Sequence, residues 1–353
     1  MLDLNELRSL PTWGEKLRKC GLPIYIYGMG DGCEKVLSAF VQECVECSGI
    51  FVSDDFKRDK VFHGFRLMGM TELEETVPEF AAACAFGTSL PEVMERIEGL
   101  AQRHLLVFPE TAVAGEGYFR KDKLLEREDD IAEVYETLAD EMSRRVFLNV
   151  LKFRISGDIS YLAEYSEADE VYKLLELTGD EIYADLGAYN GDTVESFLKY
   201  TGGKYRAVYA VEPSRKNFAK CIKRCSGLDR FIPINAAVSD CDGTAFFSTG
   251  AGRQQSLSDS GTPVEKRSLD SILAGKECTF IKYDVEGEDA PALLGSRETI
   301  LKYCPKIRTG IYHRPYDILD IPLLLHEMQP RYRLYMRRPR YYPAWDLELA
   351  AKV

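Results

Sequence analysis

At 353 residues the chain is too long for one typical core and suits two domains, and its 45% hydrophobic and 29% charged residues match a soluble globular protein. A net charge of −12 repels nucleic acid over most of the surface, so a small or neutral substrate is expected rather than a polyanion. No stretch reaches the length of a membrane span, and Met1-Leu-Asp-Leu-Asn-Glu6 lacks the basic-then-apolar order of a signal peptide, so the expected compartment is the cytoplasm.

Residues 1–22 read as a short amphipathic helix leading into a strand, Pro23-Ile-Tyr-Ile-Tyr27. The turn Gly28-Met-Gly30-Asp-Gly32-Cys33 follows, then a helix through Val36, Leu37 and Phe40, then a strand from Gly49 to Asp54 and Asp55. A glycine turn with an acidic strand end raises the question of nicotinamide binding, although Cys33 stands where a third glycine belongs. A hairpin at 61–66, strands Ala81–Phe86 and His104–Phe108, and a helix from Leu90 to Ala101 complete a small Rossmann-like domain over 1–117. It resembles the sugar-nucleotide-type domain attached to some glycan-modifying enzymes. An equal reading is a docking or homodimerising domain with an empty turn. His63 and His104 read as structural.

Residues 118–178 are charge-rich, with apolar positions at three- and four-residue steps, as in a helical linker that packs on both neighbours. Of the ten cysteines only Cys44/Cys47 and Cys221/Cys225 are close pairs; both are expected inside helices as reduced core thiols, and no zinc set is complete.

The third segment, 179–353, opens with the densest stretch of the chain. Glu181-Ile-Tyr-Ala-Asp185-Leu-Gly187-Ala188-Tyr189-Asn190-Gly191-Asp192-Thr193 reads as strand, tight turn, helix. Its glycines let the backbone approach a ligand. The next strand, Tyr205–Val211, ends in Glu212-Pro213-Ser214, where an acid can reach both ribose hydroxyls, so Asp185 and Glu212 are expected to bracket one nucleotide-like ligand. A helix from Arg215 to Cys225 leads to a strand over 231–238, whose Asn235 and Ala236 fall where adenine would be held. Residues 243–248 look like an added strand pairing back on it, and the polar loop 250–261 like a lid or a loose surface loop.

Thr279-Phe-Ile-Lys282-Tyr-Asp284-Val-Glu286-Gly-Glu288 is the second chemically dense stretch, a strand tip that should face the same crevice as Asp185. A helix over 291–303 and a strand ending at His313 follow, then a helix opened by Arg314-Pro315-Tyr316-Asp317. Strands at 332–338 and 345–352 close the chain as an antiparallel hairpin with a solvated face.

D-x-G-A-Y-x-G-D-T, A-V-E-P, N-A-A-V, I-K-Y-D-V-E-G-E-D and I-Y-H-R-P-x-D-I occur in this order, and with them residues 140–353 resemble an FkbM-family methyltransferase. The resemblance implies a class I (Rossmann-like) domain with a seven-stranded, mostly parallel sheet whose last strand is antiparallel. It also implies an S-adenosylmethionine-dependent O-methyltransferase, with S-adenosylhomocysteine as product, acting on a hydroxyl of a sugar, glycan or glycosylated metabolite. Carried onto matching positions, it places cofactor contacts at Asp185, Gly187, Gly191, Asp192, Thr193 and Glu212, and a substrate edge at Asp284, Glu286 and His313. His313 or Asp284 is expected to take the acceptor proton, with Lys282 or Glu286 fixing geometry. Val285-Glu286 occupies the place of the Pro-Pro-aromatic pattern of amino-methylating enzymes, which favours oxygen. Mg²⁺ on Asp284, Glu286 and Glu288 is a secondary expectation, without a complete ligand set. A sugar-nucleotide oxidoreductase using the Gly28 turn and a non-catalytic glycan-binding protein are the alternatives.

Overall fold

A computed structural model of the chain describes residues 2–247, 257–258 and 262–353. Pro11 divides the expected first helix into α1 (Asn5–Ser9) and α2 (Trp13–Lys19), because the residue before a proline is pushed to extended backbone. Thr12 and Glu15 cap α2 reciprocally. Six strands follow: β1 (Ile24–Tyr27), β2 (Gly49–Val52), β3 (Val61–Phe62), β4 (Phe65–Gly69), β5 (Ala81–Cys84) and β6 (Leu105–Val107). They form one sheet in the order β3-β4-β2-β1-β5-β6, in which only β3 is antiparallel to its neighbour. β1, β2 and β5 are buried along their whole length, as continuous apolar runs in a parallel sheet require. Helices α3 (Asp31–Gln42), α4 (Met70–Thr76) and α5 (Pro91–Arg103) connect them. Cys44 and Cys47 fall beyond the end of α3, not within a helix as expected. Every cysteine is free.

Between the two sheets lie the helices α6 (Lys121–Leu125), α7 (Glu128–Thr137), α8 (Glu141–Ser156) and α9 (Glu170–Leu175). Asp140 caps α8 by accepting from the Ser143 amide, and Gly157 ends it in the left-handed conformation, φ 66°. α8 packs on α1, α2 and a strand near the C-terminus, so a single apolar core runs from Leu7 through Phe147 and Leu151 to Leu334 and Leu349.

The remaining strands are β7 (Ile182–Leu186), β8 (Ala207–Val211), β9 (Phe231–Ile234), β10 (Ala237–Val238), β11 (Gly243–Phe247), β12 (Leu257–Ser258), β13 (Thr262–Arg267), β14 (Phe280–Tyr283), β15 (Lys306–Gly310), β16 (Arg333–Arg337) and β17 (Glu348–Lys352). Their helices are α10 (Asp192–Tyr200), α11 (Arg215–Arg224), α12 (Leu269–Leu273), α13 (Asp289–Leu294), α14 (Arg297–Tyr303) and α15 (Asp317–Met328). Seven strands order as β16-β17-β15-β14-β7-β8-β9, with β17 alone antiparallel to both of its neighbours. The order reverses between β7 and β14, which puts a crevice beyond their carboxyl ends.

Local details differ from the sequence expectation. The strand expected over 231–238 breaks at Asn235-Ala236, and β10 joins a separate sheet ordered β10-β13-β11-β12. β11 therefore pairs with β13 and not with β9. The helix expected over 291–303 is interrupted at Gly295, where a Cβ would lie 2.1 Å from the Ser239 carbonyl oxygen. β16 and β17 are largely buried, since β17 is inserted between β16 and β15 rather than presenting a solvated face. The loop 250–261, apart from Leu257 and Ser258, lies outside the described residues. No helix among the described residues is long and apolar enough to cross a membrane.

Candidate active site

The glycine turn after β7 is held from two sides. The amides of Gly187 and Ala188 both donate to the Val211 carbonyl at the tip of β8, at 3.0 and 2.9 Å. Gly187 has φ 82°, and a Cβ there would lie 1.9 Å from the Asp284 carbonyl oxygen, so only glycine lets the turn sit against the end of β14. The Lys282 ammonium donates to the Gly187 carbonyl at 2.9 Å. Gly191, φ 87°, opens α10 and rests on the sulfurs of Cys221 and Cys225.

Asp185 is fully buried. Its Oδ2 accepts from the Thr193 hydroxyl and its Oδ1 lies 3.5 Å from Lys282 Nζ, so it fastens the start of α10 to β14. Glu212 accepts from the Tyr189 amide at 2.9 Å and the Ser214 amide at 2.8 Å. Burial outweighs those two donors and pushes its carboxyl up to about 7. Asp185 and Glu212 leave the sheet on one face, because Asp185 is registered with Ala210, two residues before Glu212. Asn235 donates from its side-chain amide to the carbonyls of Glu212 and Pro213, at 2.8 and 3.0 Å.

One cavity of about 1090 Å³ lies over this turn. Of the residues expected around the cofactor, Gly187, Tyr189, Asp192, Thr193, Glu212, Pro213 and Ser214 line it. Asp185, Ala188, Asn190, Gly191, Asn235 and Ala236 are not among its lining residues, whereas Ala237 and Val238, next along the chain, are.

The second edge of the cavity is Asp284, whose side chain is 42% exposed. Lys282 Nζ stands 3.4 Å from its Oδ2, and His313 Nε2 stands 3.3 Å from its Oδ1. Although burial opposes ionisation, those two cations hold the Asp284 carboxyl well below the usual carboxylate range. His313 is buried behind Asp284 and does not line the cavity. Its Nδ1 lies 2.9 Å from Asp289 Oδ2, and the two carboxylates, against the effect of burial, hold the imidazole protonated well above its ordinary range. Glu286, φ 53°, lines the cavity, and burial pushes its carboxyl up. Glu288 also lines the cavity and pairs with Arg314 at 3.0 Å.

Asp284, Glu286 and Glu288 do not form the ligand trio that Mg²⁺ was expected to use. Among the described residues the one group of three with ligand atoms within 4.8 Å of one another is Asp289, His313 and Asp317. All three are buried, and the imidazole nitrogens face Asp284 and Asp289 as proton donors. That donor set suits an ion-pair network, not a divalent cation.

The far wall comes from the N-terminal sheet and the C-terminal loop, through Lys35, Phe86, Glu110, Tyr341 and Trp345. Nothing in their local sequence marks them, since they meet only because the two sheets face each other.

A seven-stranded sheet with one antiparallel strand, a glycine turn at its switch point and an acidic second edge define a methyltransferase fold. Residues 185–334 match the family model described as Methyltransferase FkbM domain, so this part of the chain is similar to the FkbM methyltransferases. The chain is similar to the methyltransferase FkbM from Methylobacillus flagellatus KT, with a TM-score of 0.72 and 20% identity over 94% of this chain and 90% of that one. An rRNA methylase from Streptococcus thermophilus matches 52% of this chain and 93% of its own at TM-score 0.36 and 14% identity. Aeropyrum pernix fibrillarin, in complex with S-adenosyl-L-methionine, matches 54% of this chain and 75% of its own at TM-score 0.35 and 12% identity. No curated protein matches the chain significantly.

Proposed function

We propose that the protein is an S-adenosylmethionine-dependent O-methyltransferase acting on a hydroxyl of a sugar, glycan or glycosylated metabolite. The observation that carries this reading is the ionised Asp284 carboxylate, which opens onto the same cavity as Glu212 with the Gly187 turn between them. The same reading divides the chain into a small Rossmann-like domain over 1–117, a helical linker over 118–178 and the methyltransferase domain over 179–353.

The residues suit the cofactor. Glu212 offers a carboxylate at the strand tip for ribose hydroxyls, while Asp192, Thr193 and the turn backbone offer polar contacts at the start of a helix. S-adenosylmethionine supplies, when bound, a methyl group activated by a sulfonium. The work left to the chain is alignment and removal of one proton. Asp284, kept charged by Lys282 and His313, would accept a hydrogen bond from the attacking hydroxyl and so orient the hydroxyl oxygen for transfer. Glu286, whose carboxyl burial raises while that of Asp284 is lowered, is the more basic of the two on this wall and takes the proton. Lys282 joins both edges, because its one ammonium reaches Gly187, Asp185 and Asp284.

The oxidoreductase alternative needs a free acid at the tip of β2. Asp54 instead accepts from the Thr71 amide and hydroxyl, which ties it to the start of α4.

Calorimetry with S-adenosylhomocysteine, followed by mass spectrometry of hydroxylated acceptors incubated with labelled donor, tests the proposal. Binding and a methyl-sized gain on oxygen are expected. Absence of binding, or a methyl found on nitrogen, would overturn it.

A further inference from the structure

Glu110 lies just beyond β6 in the N-terminal sheet, is only 4% exposed, and lines the cavity shared with the methyltransferase edge. Its Oε2 has no hydrogen-bond partner among the described residues. A buried carboxylate oxygen without a donor is costly unless something else supplies one. The indole Nε1 of Trp345, on the same wall, is likewise buried without an acceptor.

Both groups are mounted rigidly. The Glu110 carbonyl accepts from the Phe119 amide at 2.8 Å, and the Phe108 amide donates to Gly157 at 2.9 Å. Lys35 Nζ donates to the carbonyls of Ala112 and Val113 at 2.8 and 3.1 Å, and the Ala114 amide reaches the His313 carbonyl at 2.9 Å, so the Glu110 loop is tied to the catalytic edge. Trp345 is packed on Gly87, where a Cβ would lie 2.3 Å from its ring.

We propose that Glu110 and Trp345 form the acceptor-recognition end of the cleft, and that they bind a neutral polyhydroxylated group, the sugar part of the acceptor. This rests on the methyltransferase reading and adds to it which residues select the substrate. The unsatisfied atoms supply the pattern: a carboxylate oxygen takes a hydrogen bond from one hydroxyl, and the indole N–H gives one to another. The rings of Trp345 and Tyr341, tilted with centroids 6.2 Å apart, offer apolar surface for the C–H faces of a pyranose. Charge favours a neutral group. Arg154, fully buried, stands 3.4 Å from Glu110, so the pair presents no net charge to hold an ion, and Lys35 on the same wall is committed to the Ala112 and Val113 carbonyls with Asp31 3.6 Å away.

The test uses the full-length protein loaded with S-adenosylhomocysteine, and methyl glucoside, methyl galactoside, methyl mannoside and methyl rhamnoside as probes. Saturation-transfer NMR reports which probes bind, and calorimetry reports S-adenosylhomocysteine affinity in parallel. Wild type is expected to saturate at least one glycoside. Glu110→Ala should weaken that glycoside about tenfold or more, the range for a hydrogen bond to a charged group. Trp345→Phe, which keeps an aromatic ring and removes the N–H, should weaken it less, and S-adenosylhomocysteine affinity should be unchanged in both. Glu110→Gln keeps the side-chain volume and guards against misfolding as the cause; it too should weaken the glycoside. Equal saturation in wild type and the Glu110 variants would overturn the proposal, as would wild type that binds S-adenosylhomocysteine but no glycoside. Failure of S-adenosylhomocysteine to bind wild type strikes the methyltransferase reading instead, and glycoside binding that depends on Glu110 would still uphold the subsite.

Discussion

The imidazole of His313 stands 3.3 Å behind the Asp284 carboxylate and has no surface in the cavity, so it acts on substrate only through Asp284. Its other nitrogen is committed to Asp289 at 2.9 Å. Asp284→Asn is therefore expected to lower kcat by about tenfold or more, the range for a hydrogen bond to a charged group, with S-adenosylhomocysteine affinity unchanged. His313→Ala should lower both kcat and stability, the latter by about 3–5 kcal/mol, because Asp289 is left buried and unpaired. The pH dependence follows from the raised folded-state pKa. The contribution of His313 to stability is complete below its ordinary 6.5 and is lost as pH rises through the folded value. Urea unfolding of wild type and His313→Ala should thus show a gap that is full in mildly acidic buffer and narrows in alkaline buffer. A gap independent of pH would contradict a charged imidazole.

Glu212 works with the same sign. Its folded carboxyl is raised by burial from 4.5 to about 7, so the folded protein holds a proton that the unfolded chain gives up. The associated stability is complete below pH 4.5 and is lost as pH rises to about 7, a difference of about 3 kcal/mol. Glu212→Gln should flatten that slope in unfolding experiments between those limits. Ribose hydroxyls donated to the carboxylate favour its ionised form, so S-adenosylhomocysteine binding near pH 6 should release a proton. Calorimetry in buffers of different ionisation enthalpy measures it, and the release should vanish in Glu212→Gln.

The acids at the strand tips were legible because each closes an apolar run, and such runs in a parallel sheet end at the ligand-binding edge. Which way each side chain acts was not. Asp185 and Glu212 look alike in sequence, yet Asp185 is spent on Thr193 and Lys282 while Glu212 reaches the cavity. The second glycine turn also looked like a cofactor site. Asp54, one of the two acids expected at its strand end, is used by Thr71, a partner 17 residues away that no local pattern announces. Asp289 reads as an ordinary first-turn helix acid, and only the return of the chain at His313 gives it a partner. Glu110 and Trp345 carry no motif at all, since their meeting depends on how two sheets pack.

Gly187 is the tightest point of the site, and its replacement separates strain from collision. In Gly187→Ala a residue at φ 82° would also drive its Cβ to 1.9 Å from the Asp284 backbone oxygen, prising β7 from β14. The expected loss is about 2 kcal/mol or more in unfolding free energy, with methyl transfer abolished. Gly202→Ala is the control. Its φ of 62° carries the strain, but nothing lies within 4 Å of the added methyl, so it should cost only about 1 kcal/mol and leave kcat unchanged. Similar effects from both would show that backbone strain, not the approach of the turn to β14, decides the outcome.

The carboxylates around Asp284 invite a metal, and exhaustive chelation decides the matter. A divalent ion would need oxygens free to converge, but Glu288 is drawn to Arg314, and the Asp284 oxygens face Lys282 and His313. The cluster that does converge, Asp289 with His313 and Asp317, is closed to solvent. Its histidine has both nitrogens engaged as donors, and Asp317 Oδ2 accepts from the Arg314 amide at 2.8 Å. A cation entering there would have to strip a proton from an imidazole that two carboxylates hold in its charged form. Methyl transfer is therefore expected to survive dialysis against excess chelator with kcat unchanged, and added Mg²⁺ should not raise it. Loss of activity on chelation, restored by Mg²⁺, would show that the Asp284 edge rearranges around a cation when the acceptor binds.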